Sequence, residues 1–337
     1  MNIVKTLLTI SLSFSLSISS WAQSTIGVTG VRDNSYNSYS ALKTTLKTHP
    51  NALLVIENQY TNVTEKRDVV YAKIGDRELK LDAFYPKEKN HQPHPAILII
   101  HGGGWRSGNR AQHIPLAQKL ASLGYATFTA EYRLSTEALY PAAVQDLKAA
   151  VRWIRANASQ YHVDANKIAS LGFSAGGQLA SLVGNTNGVQ TFEANEGITG
   201  VSSDVQAIVD IDGIVAFIHP ESAEGDDSKR TSAATYWFGY GKDQNPALWK
   251  EGSALTYTGK NTPPTLFINS SVERMHAGRD DYRKILETNH IYSEVHTFKD
   301  SPHSFCLFTP WFDPTVEYVD HFLKKVFKKH KDVLAFR

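Results

Sequence analysis

A serine between glycines, placed where an apolar strand passes into a helix, constrains the fold of this chain more than any other feature. The run GFSAG, from Gly172 to Gly176, follows the strand-like KIASL and opens the helical AGGQLASLVG. In a tight strand-to-helix turn of this kind, neighbouring backbone passes too close for side chains two residues before and after the serine. The run therefore predicts that Ser174 is an exposed nucleophile at a helix N-terminus. The alternative is a glycine-rich turn in which the serine only caps the helix.

Strand-like and helical runs alternate along the rest of the chain. The continuous apolar run PAILII, residues 95–100, is typical of a strand buried on both faces. Helical runs follow the strands at regular spacing, which predicts an α/β fold, a mostly parallel sheet with helices on both faces. About fifty residues after the sixth predicted strand break the alternation. This segment, about residues 213–262, is interpreted as a cap insertion over one end of the sheet.

Three glycines follow the buried strand in ILIIHGGGW, which begins at Ile97. A serine that attacks a carbonyl generates an oxyanion, and backbone amides can approach it closely only where side chains are absent. Gly103 and Gly104 are therefore predicted to donate to the oxyanion together with the amide of Ala175, and His101 to brace the loop. A phosphate-binding loop is the rival interpretation, but the run lacks the G-x-G-x-x-G spacing.

A general base is the next requirement, and the chain has 13 histidines. The base is expected on a loop after the last strand, and in YSEVHTFKDSPHSF His303 follows a Ser-Pro turn just beyond the strand. His296 is interpreted as a residue of that strand. His276 and His101 remain as alternatives.

These motifs together resemble those of the α/β-hydrolase superfamily. The loop HGGGW, then EYRL with YPAAVQDLKAAVRWI, then GFSAGG and a terminal histidine loop are similar to the hormone-sensitive-lipase-like esterases. The chain is more closely similar to secreted carbohydrate acetylesterases, over roughly Asp68 to Phe327. The resemblance implies the same three oxyanion donors and a structural ion pair between Arg133 and Asp146.

The acid that orients the histidine departs from the pattern of that family. Many relatives carry an aspartate two or three residues after the glycine that ends the strand following the cap. Here FINSSVERMHAGRDDYRKIL places Glu273 at the expected position, and a glutamate can accept the imidazole N–H equally well. Asp280 in the following helix is the second candidate, and Asp212 at the end of the preceding strand is the third.

The N-terminal residues predict export. Residues 1–22 carry Lys5, a short apolar and hydroxyl-rich stretch and small residues before an expected cut after Ala22, as in a secretory signal peptide. No later segment has the roughly 18 consecutive apolar residues of a membrane span. The mature protein is therefore expected to be secreted or periplasmic, without membrane insertion. Residues 23–65 are interpreted as an N-terminal extension lying on the main domain, residues 66–337.

Composition excludes other classes of function. The net charge is only +2 and the basic residues are scattered, so no nucleic-acid partner is expected. The single cysteine, Cys306, excludes an intrachain disulfide and is predicted to be a buried small apolar residue. The serine mechanism implies neither a metal nor an organic cofactor.

The substrate is predicted from export, resemblance and aromatic content. Aromatic residues crowd the cap and the histidine loop, and sugar rings pack on aromatic side chains, so the predicted substrate-binding residues are Trp105, Trp237 and Trp311. The expected reaction is removal of acetyl groups from an oligo- or polysaccharide such as pectin or xylan. A feruloyl or general short-chain carboxylesterase is the alternative, and a non-catalytic binding protein on the same scaffold is the alternative of another class.

Overall fold

A computed structural model of the chain describes residues 22–87 and 92–334. The predicted signal peptide, apart from Ala22, lies outside the described residues. None of the helices within these two ranges combines the length and the apolar character that crossing a bilayer requires.

A mostly parallel sheet of eight strands forms the centre of the molecule, beside a separate pair of short strands. The strands are β1 (Leu53–Leu54), β2 (Val63–Ile74), β3 (Arg77–Pro86), β4 (His94–Ile100), β5 (Ala126–Ala130), β6 (Val163–Phe173), β7 (Ala207–Ile211), β8 (Thr265–Asn269), β9 (Ser293–Thr297) and β10 (Phe308–Thr309). The order in the large sheet is β2-β3-β5-β4-β6-β7-β8-β9. Strands β5, β4, β6, β7, β8 and β9 run parallel to one another, whereas β3 pairs antiparallel with both β2 and β5 at one edge. Strands β1 and β10 form the separate antiparallel pair.

Helices cover both faces of this sheet, which confirms the predicted α/β fold. They are α1 (Ser38–Thr45), α2 (Ile114–Ser122), α3 (Ala142–Ala156), α4 (Ala175–Asn185), α5 (Ala233–Phe238), α6 (Pro246–Glu251), α7 (Arg279–Thr288) and α8 (Phe312–Leu334). Ile97 and Ile99 of β4 belong to an apolar cluster with α2 and α8, whereas Leu98 and Ile100 belong to a second cluster with α3 and α4. Because successive side chains of a strand point to opposite faces, β4 needs apolar residues at every position.

The cap lies between β7 and β8 and contains the short helices α5 and α6. Ser232 caps α5 by accepting from the Thr235 amide, and Gly239 ends it in the left-handed conformation, φ 69°. Trp237 and Trp249 of these helices are fully buried within the cluster that contains α3 and α4. The cap is therefore packed into the main core at this end of the sheet.

The residues before β2 lie against the main domain. Helix α1 is joined to the loop that follows β9 by a hydrogen bond between Thr45 Oγ1 and Ser304 Oγ, 3.1 Å long. Strand β1 pairs with β10, close to Cys306, which is buried and free as predicted. The N-terminal segment therefore contacts a loop that is distant in sequence but close to the carboxyl edge of the sheet.

Candidate active site

Ser174 lies on a tight turn between β6 and α4, and its backbone is strained. Its φ is 58° and ψ is −123°, in a region that costs a non-glycine residue roughly 1–3 kcal/mol. A Cβ atom at Gly172 would lie 1.9 Å from the carbonyl oxygen of Gly176, and one at Gly176 would lie 2.2 Å from that of Ile100. Both positions of the G-x-S-x-G run therefore require glycine, which is the physical reason for the motif.

His303 connects this serine to a buried carboxylate. Nε2 of His303 lies 2.8 Å from Ser174 Oγ, and Nδ1 lies 2.6 Å from Asp212 Oδ2. Because an ionised carboxylate only accepts, Nδ1 donates to Asp212 and Nε2 accepts the serine proton. The imidazole also packs against Phe173, with ring centroids 4.9 Å apart. The arrangement matches the roles of nucleophile, general base and orienting acid.

The structure corrects the first candidate for the acid. Glu273 lies in an exposed turn after β8 and makes no hydrogen bond with His303, so that expectation is wrong. Asp280 is exposed at the start of α7 and pairs with its neighbour Arg279 at 2.9 Å. The third candidate, Asp212, is the orienting acid, because its carboxylate accepts the hydrogen bond from Nδ1 of His303.

Sheet register explains why Asp212 is the partner. Phe173 at the end of β6 is paired with Ile211 at the end of β7, so Ser174 and Asp212 leave neighbouring strands at the same level. Both residues have a positive φ, 58° for Ser174 and 54° for Asp212. The signal in the sequence was an acidic residue directly after a buried strand next to the serine strand, at the carboxyl edge where such sites form.

Ser270 holds the Asp212 carboxylate in place. Its backbone amide donates to Asp212 Oδ1 at 2.8 Å, and its hydroxyl donates to Oδ2 at 2.5 Å. The carboxylate is completely buried, and burying a charge is costly unless donors surround it. These donors keep Asp212 able to stabilise an imidazolium on His303.

The other candidate histidines occupy structural positions. His276 Nε2 contacts the backbone oxygen of Ser270 at 3.1 Å and lies 3.8 Å from Asp212 Oδ1, whereas His303 binds Oδ2. His296 is in β9, as predicted, where its ring contacts Glu294 at 3.2 Å. Neither ring contacts Ser174.

The glycine loop after β4 adopts a backbone that side chains disfavour. Gly103, Gly104 and Gly108 have φ of 128°, 60° and 110°, and a Cβ atom at Gly103 would lie 1.9 Å from the Ser107 carbonyl oxygen. Within residues 22–87 and 92–334, the amides of Gly103, Gly104 and Ala175 donate to no other group. Unused amides beside a nucleophile can receive the charge that develops on a substrate oxygen.

His101 supports this loop through its ring and its backbone carbonyl, as expected. Its ring stacks on Tyr132 with centroids 4.5 Å apart, and the Tyr132 hydroxyl donates to the His101 carbonyl at 3.0 Å. Burial, reinforced by the nearby Arg32 charge, holds the pKa of His101 well below its ordinary 6.5. The neutral ring therefore donates from Nδ1 to the Gly102 carbonyl at 2.9 Å and accepts at Nε2 from Arg32 at 3.2 Å.

The N-terminal segment clamps the same loop. The Arg32 guanidinium donates to the carbonyls of Tyr132 and Gly108, each at 2.9 Å. The carbonyl of Asp33 accepts from the Gly108 amide at 2.9 Å, while the Ser107 hydroxyl accepts from the Tyr36 amide at 2.8 Å. Sequence reasoning missed these residues, because no motif marks them in a polar segment.

A cavity of about 150 Å³ opens beside the serine. Gly104, Ala175 and Trp105 line it together with Ser174 and His303, so Trp105 lies at the site as predicted. The prediction for Trp237 is wrong, because this side chain is fully buried and stacks behind Trp105 at 5.2 Å. Trp311 is partly exposed, donates to the Asp300 carbonyl and does not line the cavity.

Comparison with known proteins places this geometry in context. The BD-FAE family model matches residues 81–275, which is more than half of the chain. Esterase LipC from Mycobacterium tuberculosis is 29% identical over 217 residues, covering 63% of this chain and 52% of the relative. The chain therefore spans about half the length of that curated relative.

Solved structures share the fold. A truncated carbohydrate esterase from gut microbiota superposes with a TM-score of 0.67 and 24% identity, covering 81% of this chain and 100% of that one. A thermophilic esterase from Thermogutta terrifontis with propionate bound has a TM-score of 0.64 and 24% identity, covering 79% and 95% of the two chains. The residues that hold the glycine loop from the N-terminal segment, Arg32, Asp33 and Tyr36, are called the clamp below, and they precede the residues that the family model matches.

Proposed function

Because the chain belongs to the BD-FAE family of α/β-hydrolases, we propose that it is a serine esterase that hydrolyses short acyl esters of a carbohydrate. The single observation that carries the proposal is the continuous pair of hydrogen bonds from Ser174 through His303 to Asp212, 2.8 and 2.6 Å long. A non-catalytic binding protein would have no use for a strained serine activated in this way.

The reaction proceeds in two halves. His303 accepts the proton of Ser174 as the hydroxyl attacks the ester carbonyl, and Asp212 stabilises the resulting imidazolium. The amides of Gly103, Gly104 and Ala175 receive the oxyanion, and the alcohol leaves with the proton of His303. Water, activated by the same imidazole, then releases the acid from the acyl-enzyme.

The cavity favours a short acyl group. The cavity of about 150 Å³ is comparable in volume to one that holds a benzene-sized molecule, which suits an acetyl group better than a feruloyl group. The apolar part of its wall comes from Trp105, Ile214 and Met275. Acetylated oligo- or polysaccharides, of the pectin or xylan type, are the substrates that the resemblance of the sequence to carbohydrate acetylesterases favours. Export, inferred from the composition of residues 1–22, would bring the enzyme to such polymers.

A panel of esters tests the proposal. The wild-type protein should hydrolyse p-nitrophenyl acetate, should release acetate from acetylated xylan or acetylated pectin, and should leave methyl ferulate nearly untouched. The Ser174→Ala variant should lose all of this activity while its circular dichroism spectrum stays unchanged. Activity that survives in Ser174→Ala would remove the assignment, and faster release of ferulate than of acetate would reverse the order of acyl groups.

A further inference from the structure

The cavity beside Ser174 has one charged wall that the reaction itself does not use. Glu224, in the cap before α5, and Arg274, in the turn after β8, both line the cavity. Arg274 Nη1 donates to Glu224 Oε1 at 3.3 Å. The Glu224 side chain is 17% exposed and that of Arg274 is 49% exposed, so the carboxylate lies deeper than its partner.

Glu224 has more acceptor capacity than its surroundings satisfy. An ionised carboxylate offers about four acceptor positions, and among the residues that the structure describes only Arg274 donates to this one. The backbone of Glu224 is fixed separately, since its amide donates to Ser222 Oγ at 3.3 Å and its carbonyl accepts from Lys242 Nζ at 3.4 Å. The Glu224 side chain is partly exposed and lines the cavity. Hydroxyl groups of a ligand in the cavity can therefore donate to its remaining acceptor positions.

Arg274 completes the complementarity. Its guanidinium carries five N–H donors, and only Nη1 is engaged with Glu224. The remaining donors can bind the ring and hydroxyl oxygens of a sugar, while Glu224 accepts from neighbouring hydroxyls. The other walls, formed by residues such as Ile214 and Met275, offer no such groups to the alcohol part of an ester.

We propose that Glu224 and Arg274 form a hydroxyl-binding subsite for the alcohol part of the ester, selecting a polyhydroxylated alcohol over an alkyl or aryl one. The inference rests on the proposed esterase function. A site built to hydrogen-bond hydroxyl groups discriminates against an analogue without them, because the mostly buried Glu224 carboxylate then receives no hydrogen bonds from the bound alcohol. Glu224 and Arg274 thereby determine specificity without touching the acyl carbonyl.

Two esters with the same acyl group test the subsite. A mono-acetylated methyl xyloside presents hydroxyls to Glu224, whereas p-nitrophenyl acetate presents none. The Glu224→Met variant should lower kcat/KM for the sugar acetate roughly tenfold to a hundredfold, the loss expected for hydrogen bonds to a charged group, mainly by raising KM. Its kcat/KM for p-nitrophenyl acetate should fall much less, so the ratio of the two kcat/KM values should drop by about fivefold or more. Glu273→Gln, in the exposed turn beside Arg274, is the matched control and should change neither value.

Arg274→Met provides a second variant, because its half-exposed side chain can be truncated without disturbing the core. It should repeat the selective loss on the sugar acetate. Equal losses on both esters, with a shifted pH profile, would mean that Glu224 acts on His303 and would overturn the subsite. Unchanged kinetics on both esters in both variants would also overturn it. A wild-type protein that hydrolyses neither ester would instead overturn the proposed function on which the subsite rests.

Discussion

The nucleophile turn and the glycine loop serve the same reaction, but they are held in place by different means. The turn around Ser174 is mostly local, since Gly172 lets the Gly176 carbonyl of the same turn approach, with one further close approach of Gly176 to the Ile100 carbonyl of β4. The loop at Gly103 depends on residues far away in sequence, above all Arg32. One half of the site is therefore a local motif, and the other half is an assembly of distant segments.

This difference predicts how the two halves respond to substitution. Changes at the nucleophile turn and its acid should abolish the chemistry outright, because each group has one irreplaceable role. Changes at the supports of the loop should reduce turnover by degrees, since several hydrogen bonds share the task of positioning it.

The largest effect is expected at Asp212. Asp212→Asn removes the carboxylate that stabilises the imidazolium and should lower kcat by about 10³–10⁴-fold, with KM nearly unchanged. Steady-state hydrolysis of p-nitrophenyl acetate measures it. Glu273→Gln is the control, and a loss of that size in Glu273→Gln but not in Asp212→Asn would reverse the assignment of the acid.

Gly104 tests the loop itself. An added Cβ atom would lie 3.1 Å from Cβ of Ala233, and φ of 60° strains any side chain. Gly104→Ala should therefore displace one oxyanion donor and lower kcat by about 10²-fold. Gly259→Ala, at a glycine with no heavy atom within 4 Å, should keep wild-type turnover. Full turnover in Gly104→Ala would exclude this amide from the oxyanion site.

Arg32 tests the clamp. Arg32→Met removes the donors to Tyr132, Gly108 and His101, and should lower kcat roughly tenfold without raising KM, because the loop matters most in the transition state. Arg67→Met removes an arginine of β2 that pairs with Glu57 and Glu65 and lies over the Phe84 ring, and should leave kcat unchanged. An increase in KM alone for Arg32→Met would contradict a positioning role for the clamp.

The sequence predicted the local half of the site better than the distant half. The strand-serine-helix pattern specified the turn, because the crowding between Gly172 and Gly176 arises within five residues, whereas the approach of Gly176 to the Ile100 carbonyl depends on sheet packing. The acid was assigned to Glu273 by position along the chain, whereas the fold selects Asp212 by the lateral pairing of Phe173 with Ile211. Pairing between strands and the path of a polar N-terminal segment depend on tertiary packing, so no single run of residues records them.

The aromatic residues show the same limit. The aromatic content of the sequence predicts substrate contacts for three tryptophans, Trp105, Trp237 and Trp311. Of these three, only Trp105 lines the cavity. Trp237 is buried behind Trp105 and supports it by stacking. Large aromatic side chains fill cores as often as they bind sugars, and only their packing distinguishes the two uses.

The smallest effect concerns the pH dependence of stability. Burial raises the pKa of Asp210, which accepts from Ser181 of α4 behind the nucleophile turn, to about 7. The unfolded chain loses this proton near pH 4 and the folded chain only near pH 7, so stability falls as the pH rises between these values. His101 behaves in the opposite way. In the unfolded chain His101 binds a proton below pH 6.5, whereas in the folded chain it stays neutral because its pKa is well below 6.5. Stability therefore falls as the pH drops below 6.5.

Chemical denaturation between pH 4 and pH 8 separates the two contributions. Between pH 4 and pH 6.5 the two contributions have opposite signs, so Asp210→Asn should make the slope of the free energy of unfolding against pH more positive, and His101→Gln should make it more negative. Each slope is at most about 1.4 kcal/mol per pH unit, the value for a single proton. Unchanged slopes in both variants would mean that neither group is coupled to folding.

Covalent labelling of Ser174 tests the central claim most directly. A fluorophosphonate reacts with a serine only when a base activates it, so intact-mass measurement and peptide mapping should find one adduct per chain, on the peptide that contains Ser174. Ser174→Ala should carry no adduct, and Asp212→Asn should be labelled far more slowly. A wild-type chain that stays unlabelled, or an adduct on another residue, would contradict the account of a Ser174-His303-Asp212 nucleophile.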